Sequence, residues 1–133
     1  MNEKPSFSFN IFGTVLEVKI QGTWTIQADL AYISEFGAQI QKMRGNSWAI
    51  VIDMRGRKLP TNFFDSKFVS KIPLDRRNQK AECWIVDHLK QGEELLLFFG
   101  ESNVIPERFL DVESAKKWLA EQGFEYSHSR LIK

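Results

Sequence analysis

The side chains with the clearest chemical potential follow two apolar segments that are typical of buried strands. Asp53 ends the segment 49–53, and Asp87 and His88 follow the segment 81–86. Because ligands bind beyond the carboxyl ends of strands in open α/β sheets, we expect these groups to share one binding edge. The cations after the first segment, beside the start of a predicted helix, could bind a phosphate or carboxylate there. The alternative is a solvated basic loop. The candidate ligand-binding residues are Asp53, Arg55, Arg57, Lys58, Thr61, Asp87 and His88.

The residue types that support catalysis are present without the arrangement that catalysis needs. Asp87 and His88 could exchange a proton, but no nucleophilic serine with a known motif accompanies them, and nothing places a substrate within hydrogen-bond reach. Cys83 lies inside an apolar segment, where a buried and inert thiol is expected. Two histidines and one cysteine are too scattered for a zinc site. The sequence therefore predicts no enzymatic activity, no metal and no cofactor.

Three aromatic residues are candidates for a hydrophobic pocket or an interface. Trp24 lies where a predicted strand meets a predicted helix. Phe63 and Phe64 are consecutive, so they cannot share one face of a helix. Ordinary packing in the core is the alternative for at least one of them.

Length and composition indicate one globular domain. The chain has 133 residues, of which 43% are hydrophobic, and this fits a single core. We expect residues 1–133 to form that domain, with loose termini at 1–5 and 126–133. The net charge of +1 indicates no nucleic-acid partner. Residues 42–80 are basic and residues 81–125 are acidic, so the charges either form a dipole or cancel across the fold.

The same composition bears on the compartment. The single cysteine excludes an intramolecular disulfide and fits a reducing environment. The first residues lack the apolar core of a signal peptide, and no apolar run approaches the roughly 20 residues that span a bilayer. We therefore expect a cytoplasmic protein.

The positioning elements follow from hydrophobic periodicity. Alternating apolar residues on both sides of Gly13 and Thr14 predict an antiparallel hairpin. Thr25 is a candidate N-cap for a helix of about 18 residues. Its predicted apolar stripe consists of Ile26, Leu30, Ile33, Gly37, Ile40 and Met43. The run 49–52 predicts a strand buried on both faces. Further helices are predicted over 62–71 and 93–99, with a strand as the alternative over 93–99. A last strand is predicted over 107–110. Asp111 is expected to cap a final helix whose inner face carries Ala115, Trp118 and Leu119. Residues 61–80 could form one broken helix or two.

These elements predict an α/β fold with a mixed sheet of about five strands. The sheet starts with the antiparallel hairpin, and crossover helices connect the later strands.

A hairpin, a long amphipathic helix and an apolar strand that ends in Ile52-Asp53 resemble the STAS fold (sulfate transporter and anti-sigma factor antagonist). The segment Asp111-Val112-Glu113-Ser114-Ala115-Lys116-Lys117-Trp118-Leu119 is similar to the closing helix of small SpoIIAA-like bacterial proteins. This resemblance spans about residues 7–122. It implies a bacterial regulatory or ligand-binding domain without catalytic activity.

The resemblance also implies a phosphorylation site. STAS antagonists carry a phosphorylatable serine in an Asp-Ser-x-Gly element after the strand that matches 49–53. Asp65-Ser66 is the nearest counterpart here, although it comes several residues later and lacks the glycine. Ser66 is therefore the candidate phosphorylation site, with Thr61 as a second.

Three functional hypotheses follow. The first is a non-catalytic domain of the STAS type that binds a partner protein or forms a homodimer. The second is a domain that binds a small anionic, amphipathic or lipid-like ligand at the carboxyl edge of the sheet. The third is a phosphorylation switch at Ser66 or Thr61.

Overall fold

The chain begins with the predicted hairpin. The computed structural model describes residues 4–43, 45–58, 76–91 and 104–126. Strands β1 (Ser6–Phe12) and β2 (Val15–Thr23) pair antiparallel, with Phe12 opposite Val15. Gly13 has φ +63°, the sign that a type II′ turn requires at its first central position. The glycine therefore allows a two-residue link between strands whose apolar side chains share one face.

Helix α1 (Ile26–Met43) follows the hairpin and has the predicted length of 18 residues. Thr25 caps it, because its Oγ1 accepts a hydrogen bond from the backbone N–H of Ala28 at 3.0 Å. Its buried face differs in part from the predicted stripe: Leu30 is 41% exposed, whereas Tyr32 and Phe36 are buried. The helix is rotated so that its aromatic residues pack on the phenylalanines of β1.

Strand β3 (Trp48–Asp53) is the predicted central strand. It pairs parallel with β2 on one side and with β5 (Gln79–Ile85) on the other. Strand β6 (Glu107–Phe109) then pairs parallel with β5. In the described residues five strands follow one another in the order β1-β2-β3-β5-β6, and a sixth, β4 (Arg57–Lys58), pairs with β2 outside this order. The fold class predicted from the sequence is confirmed.

The sixth strand was not predicted. Strand β4 (Arg57–Lys58) pairs parallel with Gly22 and Thr23 at the end of β2, beyond the point where β3 stops. It falls in the segment interpreted as a basic loop. Two residues are too short to show any periodicity, so only the tertiary structure reveals this pairing.

The two faces of β3 belong to separate core clusters. Trp48, Ile50 and Ile52 pack on the α1 side, and Ala49 and Val51 pack on the opposite side. Except for Ile52, which is 6% exposed, these side chains are completely buried. The prediction of a strand buried on both faces is confirmed.

Helix α2 (Val112–Glu121) covers the second face of the sheet. Asp111 caps it as predicted, since its Oδ1 accepts from the backbone N–H of Ser114 at 2.7 Å. Hydrogen bonds from the backbone N–H and the side-chain hydroxyl of Ser114 lower the pKa of Asp111. Ala115 and Leu119 are fully buried against β5, and Trp118 is half-buried against Phe109. The interpretation of this inner face is confirmed.

The residues after α2 correct one expectation about the C-terminal tail. Tyr126 was expected to begin a loose terminus, but it is only 4% exposed. Its hydroxyl donates a hydrogen bond to Oε2 of the buried Glu17, and its ring packs on Phe12. Periodicity ends at the end of the helix, so the sequence gives no sign of a contact with β2, 109 residues earlier.

Several predicted elements lie outside the described residues. They are the helices over 62–71 and 93–99, the choice between one helix and two over 61–80, and the tail from 127 onward. No helix in the described ranges has the length and apolar character needed to cross a membrane.

Gly22 provides a test of the contact between the N-terminal segment and the sheet. Its φ is +86°, and a Cβ atom there would lie 2.1 Å from the carbonyl oxygen of Lys4. Gly56 has nearly the same φ, +83°, but open space around its Cβ position. Gly56→Ala should reduce the free energy of unfolding by about 1 kcal/mol through backbone strain alone. Gly22→Ala should cost about 1–3 kcal/mol more, because of steric overlap. Chemical denaturation measures both, and equal losses would show that the overlap is relieved without cost.

Candidate functional site

The carboxyl ends of β3 and β5 lie side by side, as the sequence predicted, and the end of β6 lies beside that of β5. Asp53 is in register with Ile85, and Ile85 is in register with Phe109. Beyond these positions the segments stay connected, because the amide of Met54 donates to Ile85 O at 2.9 Å and that of Val86 to Phe109 O at 2.8 Å. We call this surface the carboxyl edge: residues 53–58, 86–91 and 110–111.

Asp53 and Arg55 form a two-pronged ion pair at this edge. Arg55 Nε donates to Asp53 Oδ1 at 2.9 Å, and Arg55 Nη2 donates to Oδ2 at 2.7 Å. This pairing raises the pKa of Arg55. The arginine side chain is 40% exposed, so it remains in contact with solvent. The guanidinium of Arg55, a candidate for binding an anion, is thus directed at a carboxylate of the protein.

Asp87 joins the two loops of the edge. Its Oδ2 accepts from the backbone N–H of Gly56 at 2.8 Å. Gln91 completes the link, because its Oε1 accepts from the amide of Asp87 at 2.7 Å and its Nε2 donates to Met54 O at 2.8 Å. Sequence reasoning missed Gln91, and a single glutamine in a turn carries no signal that could have revealed it.

The remaining predicted cations lie in β4, beside the end of β2. The guanidinium of Arg57 lies over the ring of Trp24, 5.9 Å from its centroid. The carbonyl of Lys58 accepts from the amide of Trp24 at 2.8 Å. The structure therefore places the Asp53–Arg55 ion pair and Asp87 close together at the ends of β3 and β5, and it places Arg57 and Lys58 in β4, beside β2.

Trp24 is a core residue, which is the alternative that the sequence left open to a hydrophobic pocket or an interface. It has no exposed surface, and its ring packs edge-on against Phe7 and Tyr32. Its Nε1 donates to Asp29 Oδ1 at 3.2 Å. A junction between strand and helix can be as deeply buried as a strand when a cation and two aromatic rings enclose it.

His88 lies next to Asp87 in the exposed turn at residues 87–91, where its carbonyl accepts from the amide of Gln91 at 3.0 Å. Thr61, Phe63, Phe64 and Ser66 lie outside the described residues, and their suggested roles stay predictions.

The thiol of Cys83 fits the interpretation of an inert side chain. Cys83 is fully buried in the cluster beneath α2, and burial raises its pKa. It is therefore protonated at neutral pH and a poor nucleophile. No arrangement of three or more potential metal ligands occurs within the described ranges.

The carboxyl edge also carries apolar side chains that sequence reasoning did not select. Leu89 is 55% exposed in the turn after β5, and Leu110 is 51% exposed directly after β6. Single exposed leucines are common, but these two follow paired neighbouring strands. They give a largely polar edge an apolar component on its β5–β6 side.

One solved structure defines the class of fold. The chain is similar to a crystal structure of an anti-sigma factor antagonist from Mycobacterium paratuberculosis, with a TM-score of 0.52 and 13% sequence identity. The match covers 88% of this chain and 95% of that chain. No protein-family model and no curated protein matches the sequence. The STAS-type fold implied by the resemblance is confirmed.

A comparison of two arginines tests whether the carboxyl edge stabilises the fold. Arg76 Nη1 donates to Glu82 Oε1 at 2.6 Å, and Glu82 is only 1% exposed. Arg76→Ala should reduce the free energy of unfolding by about 3 kcal/mol, because it removes the cationic partner of a buried carboxylate. Arg55→Ala should cost about 1 kcal/mol or less, because its ion pair is solvated.

The control repeats Arg76→Ala in a Glu82→Gln variant. There it should reduce the free energy of unfolding much less, since residue 82 no longer carries a buried negative charge. Denaturant unfolding of the four variants measures these differences. If Arg55→Ala proved the more costly change, the Asp53–Arg55 pair would be a structural element rather than part of an adaptable surface.

Proposed function

We propose that this chain is a non-catalytic regulatory domain of the STAS type, and that it binds a partner protein through its carboxyl edge. The observation that carries the proposal is the fold, which it shares with a protein described as an anti-sigma factor antagonist. An antagonist of that kind acts on another protein. The partner proposed for this chain is accordingly a regulatory protein.

The chemistry of the carboxyl edge suits a protein surface. Leu89 and Leu110 supply apolar area that a partner can bury, and the solvated Asp53–Arg55 pair supplies polar groups beside it. The hydrogen bonds of Asp87 and Gln91 hold the two loops together, so these loops lose little conformational entropy when a partner binds. The edge therefore combines an apolar part on its β5–β6 side with preorganised polar groups.

The proposal of a non-catalytic role rests on the groups that could react. The Cys83 thiol is buried, and the carboxylate of Asp87 accepts a backbone hydrogen bond that holds a loop in place. Each group thus has a structural role that is sufficient to explain its position.

The two leucines provide the test of the partner surface. Leu89→Ser and Leu110→Ser should each weaken partner binding about tenfold, because each removes a side chain worth more than 1.4 kcal/mol on burial. Ile105→Ser is the matched control, since Ile105 is 71% exposed but precedes β6. The tagged protein captures partners from native cells, quantitative mass spectrometry identifies them, and calorimetry with the purified partner gives the affinities.

The expected result is a partner that binds the wild type and the Ile105→Ser variant equally and binds both leucine variants more weakly. Equal binding by all four proteins would remove the carboxyl edge from the proposal. The alternative function is the binding of a small anionic or amphipathic ligand. Native mass spectrometry of protein purified without harsh washing tests it. A retained anionic or amphipathic molecule, released by Arg55→Ala combined with Arg57→Ala, would support ligand binding instead.

A further inference from the structure

The two edges of the sheet differ in how they are protected against pairing. At one edge β6 has only three residues, and two of them, Glu107 and Arg108, are charged. At the other edge β1 has seven residues, Ser6 to Phe12, with no charge, proline or glycine. Natural proteins protect exposed edges with short strands, charges, prolines or bulges. Strand β1 has none of these features.

In the described part of the chain, the outer side of the unprotected strand β1 pairs with no other strand. There β2 is the one strand paired with β1. The residues Phe7, Phe9 and Ile11 give β1 high β-propensity, and such a segment promotes pairing with another strand when it is left exposed. Ile11 is 39% exposed, although Phe7 and Phe9 beside it pack against the α1 side of the core.

The hairpin register identifies the backbone groups that face outward. The two-residue turn at Gly13 and Thr14 places a hydrogen bond between Phe12 and Val15. Because bonding alternates along an antiparallel ladder, every second residue back from Phe12 bonds to β2. The residues between them direct their N–H and C=O groups away from β2. These outward-facing residues are Phe7, Phe9 and Ile11.

The outward-facing residues are complementary to a second copy of themselves. In an antiparallel pair of β1 strands centred on Phe9, Phe9 lies opposite Phe9 and Phe7 lies opposite Ile11 of the other copy. All these side chains lie on the α1 face, where aromatic and β-branched cross-strand pairs stabilise a sheet. Without a charge in the strand, the two-fold arrangement brings no like charges together.

We propose that β1 is a self-association edge, at which β1 of a second copy of this chain adds antiparallel and joins the two sheets. We assign the added strand to a second copy of this chain because β1 is complementary to itself. When the outward-facing N–H and C=O groups of two β1 strands pair, apolar side chains lie opposite apolar side chains. A two-fold pair of this kind closes on itself and uses the same surface of both copies. It also covers the one long unprotected edge of the described sheet.

This proposal is independent of the proposed function. The carboxyl edge carries its exposed leucines after β5 and β6, at the opposite side of the sheet from β1. A dimer joined through β1 leaves those leucines free for a partner. Either proposal can therefore fail while the other stands.

Analytical ultracentrifugation of the full chain over a range of concentrations tests the dimer. The wild type should show a reversible monomer–dimer equilibrium. Ile11→Lys should weaken it about tenfold or more, because two Phe–Ile pairs are lost in each dimer. Leu30→Lys is the matched control: Leu30 is 41% exposed, on α1, and this change should leave the dimer constant unaltered. Thermal unfolding confirms that both variants are folded.

Amide hydrogen exchange on the wild type locates the interface without any substitution. The amides of Phe7, Phe9 and Ile11 should exchange more slowly as the concentration rises and the dimer forms. A monomer at all concentrations would overturn the proposal. So would a dimer in which these amides exchange at monomer rates, or one that Ile11→Lys and Leu30→Lys weaken equally.

Discussion

The burial of β3 on both faces is the constraint on which the rest of the structure depends. A strand buried on both faces needs a neighbour on each edge and a layer over each face. Strands β2 and β5 supply the edges, and α1 and α2 lie over the faces. The described strands from β2 to β6 pair parallel to one another, so their carboxyl ends meet at one edge. The position of the candidate site is thus a consequence of the parallel strand order.

Buried polar groups connect the core to distant parts of the chain. Glu82 accepts hydrogen bonds from Arg76, Gln79 and Trp84, and Glu17 accepts one from Tyr126. Every buried side-chain nitrogen or oxygen within the described residues has a partner. An unsatisfied buried carboxylate would cost several kcal/mol, by the order of magnitude expected for an unpaired buried charge. These contacts therefore specify which segments return to the sheet, including the one that contains Tyr126.

The sheet presents two different surfaces for association. The carboxyl edge combines an ion pair, loops joined by hydrogen bonds and two exposed leucines, which suits recognition of a different protein. Strand β1 offers backbone groups and a self-complementary row of apolar side chains, which suits a second copy. The two associations that we propose use different sides of one sheet, so neither would block the other.

The sequence by itself determined the elements whose signals are local. The alternation around Gly13, the cap at Thr25 and the β-branched run before Asp53 predicted the hairpin, the length of α1 and the central strand. Asp111 predicted the start of α2. Only the tertiary structure decided what these residues face: Arg55 turns to Asp53, Trp24 enters the core, and Tyr126 reaches Glu17. The physical reason is that periodicity and capping act over a few residues, whereas burial and ion pairing depend on which distant segments meet.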